Sequence, residues 1–188
     1  MRFSISQKRI SHEEQQIMTS QDNLVPTLVT GAIAGFVATF PMTAVMELMH
    51  RDLPWWQRYP LPPSQIVNKI ASAVGLRQHM DKSQHSTMTV IAHFAYGAAA
   101  GALYAPLANR APLPAPLKGS VAGLIVWGSS YLGLLPAMGI LPPATEHPRR
   151  RTALMIAAHL VWGVATGVVA DRIGARHEQS HGGTIDGA

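Results

Sequence analysis

The stretch Ala92-His93-Phe94-Ala95-Tyr96-Gly97-Ala98-Ala99-Ala100-Gly101 decides how this chain is read, because it occurs nearly twice. Its counterpart is Ala158-His159-Leu160-Val161-Trp162-Gly163-Val164-Ala165-Thr166-Gly167. Both spell Ala-His-x-x-aromatic-Gly-x-x-x-Gly, and both sit inside long uncharged apolar runs. At helical spacing the histidine, the aromatic ring and the two glycines share one face. Runs of this length predict helices that cross a bilayer. Each would carry one histidine about two turns, or roughly 10 Å, from its start.

Two further runs alternate with these. Leu24 to Met46 and Gly119 to Leu141 contain no charged residue. Gly31-Ala32-Ile33-Ala34-Gly35 matches Gly119-Ser120-Val121-Ala122-Gly123 in the pattern Gly-x-x-Ala-Gly. Leu61-Pro62-Pro63 is echoed by Leu141-Pro142-Pro143. The order is therefore a Gly-rich span, Leu-Pro-Pro and a His-bearing span, twice over. This predicts an all-α integral membrane four-helix bundle of two tandem two-helix repeats. The expected spans are 24–48, 87–107, 119–141 and 152–171, within a membrane domain covering 23–173. Gly31, Gly35, Gly97, Gly101, Gly119, Gly123, Gly163 and Gly167 are the expected packing glycines, since small residues let helices approach closely in lipid. Both termini then lie on one side of the membrane. Lys and Arg divide almost evenly between the two sets of loops, so the side stays open.

The connections are polar. Residues 1–22 read as a disordered or surface-lying tail, with Met18 an alternative natural start, and 174–188 as a disordered tail. Between spans one and two, residues 64–76 place Ile66, Val67, Ile70, Ala71 and Val74 on one face. They predict a short amphipathic helix at the membrane surface. Trp55, Trp56, Arg149, Arg150 and Arg151 read as headgroup anchors.

Composition agrees with this class. Charged residues are 13% of the chain, against about a quarter in soluble domains. The net charge of +5 and pI near 10.0 fit anionic lipid, and no nucleic-acid motif accompanies them. The chain has no cysteine, which excludes disulfides and thiolate metal sites.

The stretch from Gly133-Leu134-Leu135-Pro136-Ala137-Met138-Gly139-Ile140-Leu141-Pro142-Pro143 to Ala158-His159-Leu160-Val161-Trp162 resembles the C-terminal half of YagU-like bacterial inner-membrane proteins. The first half agrees through Leu61-Pro62-Pro63 and Ala92-His93. The resemblance implies a bacterial inner-membrane location and no particular activity.

His93 and His159 are expected to point into the bundle at equal depth, with Tyr96, Trp162 and Trp127 as core packing and Glu47 near the interface. Three uses of the pair follow. The first is structural, each imidazole bonding a neighbouring helix through Thr39, Thr43, Ser129 or Ser130. The second is a small-solute or proton path, with Glu47 and Glu146 as acidic relays. The third is axial ligation of a haem. No metal site is expected, because a third ligand is missing. His147, His177 and His181 read as solvated. No catalytic constellation is apparent, so the leading reading is a non-enzymatic membrane protein without a cofactor. Its partners would be the bilayer and, through its Gly-rich faces, a second copy or another membrane protein.

Overall fold

A computed structural model describes the backbone of residues 3–58 and 60–182, and the side chains of 24–58 and 60–176. All regular structure among these residues is helical: α1 (Phe3–Arg51), α2 (Pro62–Ala73), α3 (Lys82–Ala108), α4 (Ala115–Gly128), α5 (Leu135–Ala137) and α6 (Arg149–Gly182). A π-helical segment, Ser129–Leu134, joins α4 to α5, so these three pieces form one continuous third span. Four segments are long and apolar enough to cross a membrane: Leu24–Arg51, Lys82–Ala108, Ala115–Ala137 and Arg149–Arg176.

The boundaries follow from local chemistry. α3 starts before the expected 87 because Asp81 caps it. The Asp81 carboxylate accepts from the Gln84 amide at 2.8 Å, and the Gln84 side chain accepts from the Asp81 amide at 3.0 Å. Such a reciprocal box satisfies two amides that a helix start otherwise leaves bare. The third span begins after Pro114 and ends before Gly139, whose φ of 62° suits a residue without Cβ. Gly75, at φ 73°, closes the short helix α2 in the same way. At the ends, α1 continues back through the polar segment to Phe3 and α6 runs on to Gly182. The N-terminal segment read as disordered or surface-lying and the C-terminal one read as disordered are helical as far as their backbone is described, and 1–2 and 183–188 lie outside the described residues.

Two seams hold the bundle together. Along α1 and α3, Gly31 faces Gly101 and Gly35 faces Gly97. Along α4 and α6, Gly119 faces Gly163 and Gly167, and Gly123 faces the backbone of His159. In both seams the numbering rises on one helix as it falls on the other, so the pairs are antiparallel. A Cβ added at Gly31, Gly35, Gly119, Gly123 or Gly163 would land on a backbone carbonyl oxygen of the partner helix. Bare backbone therefore meets bare backbone, the geometry that brings Cα–H groups against carbonyls.

The two hairpins meet mainly through α1 and α6, which pack extensively, whereas α3 and α4 touch little. A duplicated four-helix bundle would make those two contacts alike, and here they differ. The main core lies between α1, α6 and the third span, and includes Met42, Met46, Tyr131, Leu135, Leu154, Met155 and Trp162. The outer surface is apolar: Ile33, Phe36, Phe40, Leu103 and Ile125 are all exposed. In α2, Val67 and Ala71 are buried, with the helix packed on α3, while Ile70 and Val74 face outward.

The seams make a direct prediction. Gly35→Leu or Gly163→Leu forces the backbones apart, and overpacking of this kind costs about 1–3 kcal/mol. A lower unfolding midpoint in mixed micelles is the expected result. Gly128→Ala and Gly133→Ala, where nothing lies within 4 Å of an added Cβ, leave the midpoint unchanged or raise it.

Candidate functional site

The weak contact between α3 and the third span leaves a cavity inside the molecule. Its volume is about 180 Å³, similar to apolar cavities of roughly 150 Å³ that hold a benzene ring. Met42, Met46, Ala100, Val126, Leu135, Met138 and Ile140 form most of its wall, and Pro62, Pro63 and Ile66 at the start of α2 cover one end. Polar atoms enter this lining from His93, His159, Thr39, Tyr96, Ser130 and Tyr131.

Both motif histidines lie on this one wall, but in unlike settings. His159 is only 5% exposed, and its Nδ1 lies 2.7 Å from the carbonyl oxygen of Met155, one turn back on its own helix. A carbonyl only accepts, so Nδ1 carries the proton and donates it. Neutral imidazole then has its lone pair on Nε2, the nitrogen turned away from the helix backbone. The Tyr131 ring meets the imidazole edge-on, with centroids 5.7 Å apart. His93 is half-buried, and its Nε2 is buried without a hydrogen-bond partner.

The hydroxyls expected to hold the histidines are engaged elsewhere. Thr39 donates to the Gly35 carbonyl at 2.8 Å and Thr43 to the Thr39 carbonyl at 2.7 Å. Ser129 donates to the Val126 carbonyl at 3.2 Å. Ser130 shares a 2.8 Å hydrogen bond with the Tyr96 hydroxyl. The bonds that tie helices together come from the rings instead. Trp162 donates its indole N–H to the Gly35 carbonyl on α1 at 3.1 Å. Tyr131 donates to the Met155 sulfur at 3.2 Å.

Tyr96 and Trp162 occupy the same motif position and have different fates. Trp162 is 2% exposed and belongs to the core. Tyr96 is 48% exposed and is no core residue. It stands in the slot between α3 and the third span, where its bond to Ser130 spans the gap. Trp127 stacks on Tyr131 at 6.4 Å, and its indole nitrogen is buried without a partner.

A second pocket, of about 370 Å³, opens between α1, α2 and α3. Thr43, Glu47, His50, Ser64 and Thr89 give it a polar rim, and His93, Met46 and Pro63 line both this pocket and the central cavity. Glu47 is exposed there, in the next-to-last turn of α1. Glu146 lies in the 138–148 loop, is exposed and lines neither void.

Among the expected headgroup anchors, Trp55, Trp56, Arg149 and Arg150 are exposed. Arg151 is not an anchor of this kind: it is 2% exposed and donates to the carbonyls of Pro60 at 2.8 Å and Gln57 at 3.4 Å. With Arg58, which donates to the Leu53 and Arg51 carbonyls, it fixes the loop ahead of α2. Nothing in the run Arg149-Arg150-Arg151 marked one member as buried.

His147 is likewise half-buried rather than solvated. Burial, and next the Arg151 guanidinium, hold it below its ordinary value of 6.5, against opposing effects of a Pro142 backbone hydrogen bond and Glu146. The side chains of His177 and His181 lie outside the described residues.

No group of three or more His, Asp or Glu side chains converges as a metal site among the described residues. The cavity is also smaller than the roughly 300–1,000 Å³ of drug-sized ligand sites.

Fold and site define a class: an all-helical protein with four potential membrane spans and a cavity between two glycine-seamed hairpins. The chain belongs to the family described as protein of unknown function (DUF1440), whose model matches residues 54–168. The match runs from the loop after α1 to just past Gly167, the last glycine of the α4–α6 seam. Comparison with curated proteins and with solved structures gave no match.

Two outcomes follow from this geometry. Trp162→Phe removes the bond to Gly35 while keeping a ring, so stability in micelles falls by about 1 kcal/mol, the upper range for interhelical bonds in membranes. Tyr96→Phe, at the open slot, costs less. For His147 the unfolded chain binds the proton more readily than the folded one. Its contribution to stability is therefore present above about pH 6.5 and lost as pH falls through the folded value. His147→Gln flattens the acid side of a stability–pH curve recorded by thermal unfolding.

Proposed function

We propose that this is a non-enzymatic integral membrane protein that binds a small, mostly apolar, uncharged molecule in the cavity between its hairpins. The observation that carries this reading is an apolar void of ring size with two imidazoles on its wall, of which His93 keeps a buried Nε2 without a hydrogen-bond partner. Buried polar atoms without partners are costly and rare. A guest that donates a hydrogen bond to Nε2 of His159, the acceptor that the Nδ1–Met155 bond leaves on the cavity wall, would place its ring among Tyr131, Trp162 and the methionines, beside the unpartnered Nε2 of His93. Binding rather than catalysis is supported by the anchoring of His159, whose Nδ1 bonds a main-chain carbonyl and not a carboxylate that would tune it as a base.

The setting is that of a bacterial inner membrane, with lipid as the main partner. Four crossings return the chain to the side on which it began. The paired seams, each built from Gly-x-x-x-Gly on both helices, support an origin by duplication. The second reading, passage of a solute or protons, is favoured by one feature: His93 lies between the polar pocket at Glu47 and the central cavity.

Phenol and toluene test the first reading, since they share a ring and differ in the donor. The expected result, by titration of protein in nanodiscs followed by NMR or calorimetry, is phenol bound about tenfold more tightly than toluene. That ratio corresponds to one hydrogen bond of about 1.4 kcal/mol, and His159→Phe removes the difference. Equal affinities in the native protein sink the assignment of His159 as acceptor. Absence of binding by either ring sinks the cavity reading. Proton or phenol flux into liposomes that is lost in His93→Phe would establish the second.

A further inference from the structure

The cavity has a side door toward lipid. A groove of about 470 Å³ runs between α3 and α4, lined by Ala99, Leu103, Leu107, Val121 and Ile125 among others. Tyr96, Ala100 and Val126 line both the groove and the cavity, so the two voids share a wall. One side-chain hydrogen bond crosses from α3 to the third span at that wall, Tyr96 to Ser130. Ser130 lies in the π-helical segment Ser129–Leu134. Leu135 closes that segment by bonding five residues back, to the Ser130 carbonyl. Pro136 follows and has no amide to donate. Widened turns of this kind are frequent where a helix serves a site. The third span is therefore least regular where the slot is closed.

Polarity changes along this route. At its inner end are the imidazoles of His93 and His159 and the hydroxyls of Tyr131 and Thr39. Outward from Tyr96 the lining is almost wholly apolar. The charged group at the far end, Lys118, is already engaged with the Ala108 carbonyl at 3.2 Å. A polar inner end joined to an apolar channel that opens to acyl chains is the complement of one kind of molecule. Its head is small, uncharged and hydrogen-bonding, and its tail is a single aliphatic chain.

We propose that the guest is such a single-chain amphiphile. It comes from the bilayer through the slot between α3 and the third span, head against His159 and tail along the α3–α4 groove. This rests on the cavity-binding reading above and adds the source, the route and the tail. Passage requires the Tyr96–Ser130 bond to open. A second copy of the chain, the other candidate to cover the groove, would meet an apolar face but would leave the buried Nε2 of His93 at the end of the route without a partner.

The test compares phenol with 4-octylphenol on the full chain in nanodiscs, each affinity corrected for partitioning into protein-free discs. The corrected affinity of 4-octylphenol is expected to exceed that of phenol by at least tenfold. Ala99→Trp fills the groove at an exposed position outside the cavity lining. It is expected to abolish the tail's advantage while phenol affinity stays within twofold. Leu103→Trp, at a residue 70% exposed, is the second variant and should act alike. Tyr96→Phe is expected to speed association of 4-octylphenol about threefold or more. If both phenols bind equally, or the Trp variants leave the advantage intact, the lateral route is overturned while the cavity reading stands on phenol alone. If neither phenol binds, the cavity reading has failed as well. A dimer in nanodiscs that both Trp variants dissociate, with no effect of the tail, assigns the groove to a second copy and overturns the proposal.

Discussion

Two helices can bring their backbones into contact only where neither carries a side chain at the crossing. This chain meets that condition twice, at Gly31, Gly35, Gly97 and Gly101 and again at Gly119, Gly123, Gly163 and Gly167. In lipid there is no hydrophobic effect to draw helices together, so close packing and polar contacts between backbones must supply the attraction. Everything else is placed by these seams. They fix which face of α3 and of α6 turns toward its partner, and the motif histidines and rings flank those faces. They also set the rotation at which Trp162 reaches the Gly35 carbonyl, the bond that ties one hairpin to the other.

The same motif then yields two different environments. α6 lies between α1 and α4, whereas α3 packs chiefly on α1. Counting from the matched glycines, Thr39 and Thr43 on α1 correspond to Trp127 and Tyr131 on the third span. Thr39 turns its hydroxyl back to its own helix and is small enough for Gly97 and Trp162 to pack close by. The two rings at the corresponding positions stack on each other and permit no such approach by α3. The hairpins therefore close on one side and stay apart on the other. The cavity, the slot and the exposure of Tyr96 all follow from that difference.

Much of this was legible in the sequence. Uncharged length identified four spans, and Gly-x-x-x-Gly spacing identified all eight seam residues, because both signals depend on one helix at a time. The positions of His93 and His159 on an inner wall were legible for the same reason. What the sequence hid were properties of pairs. Tyr96 and Trp162 share a motif position, and nothing in ten matched residues says that one faces a neighbouring helix and the other a gap. Arg151 looked like Arg149 and Arg150 because burial depends on a loop far away in sequence. The π-helical segment left a faint trace in Gly133 and Pro136, which also suit an ordinary span end. The polar terminal segments were read by composition, which carries no information on whether a neighbouring long helix simply continues through them.

The distribution of unsatisfied atoms sets the histidines apart from the seams. The seams are complete in themselves: glycine meets carbonyl, and Thr39, Thr43 and Thr166 bond to their own helix. Of the two motif histidines, one spends a nitrogen on its own backbone and the other has a buried nitrogen with no partner. Neither joins one helix to another. A leucine at either position would fill the wall of the cavity at no cost in buried polarity, and the seams would hold as before. Imidazoles that tie no two helices together by a hydrogen bond, yet sit together where the bundle is hollow, argue that their chemistry belongs to the contents of the hollow. Polar groups kept inside a membrane domain against their cost are expected to serve such a purpose.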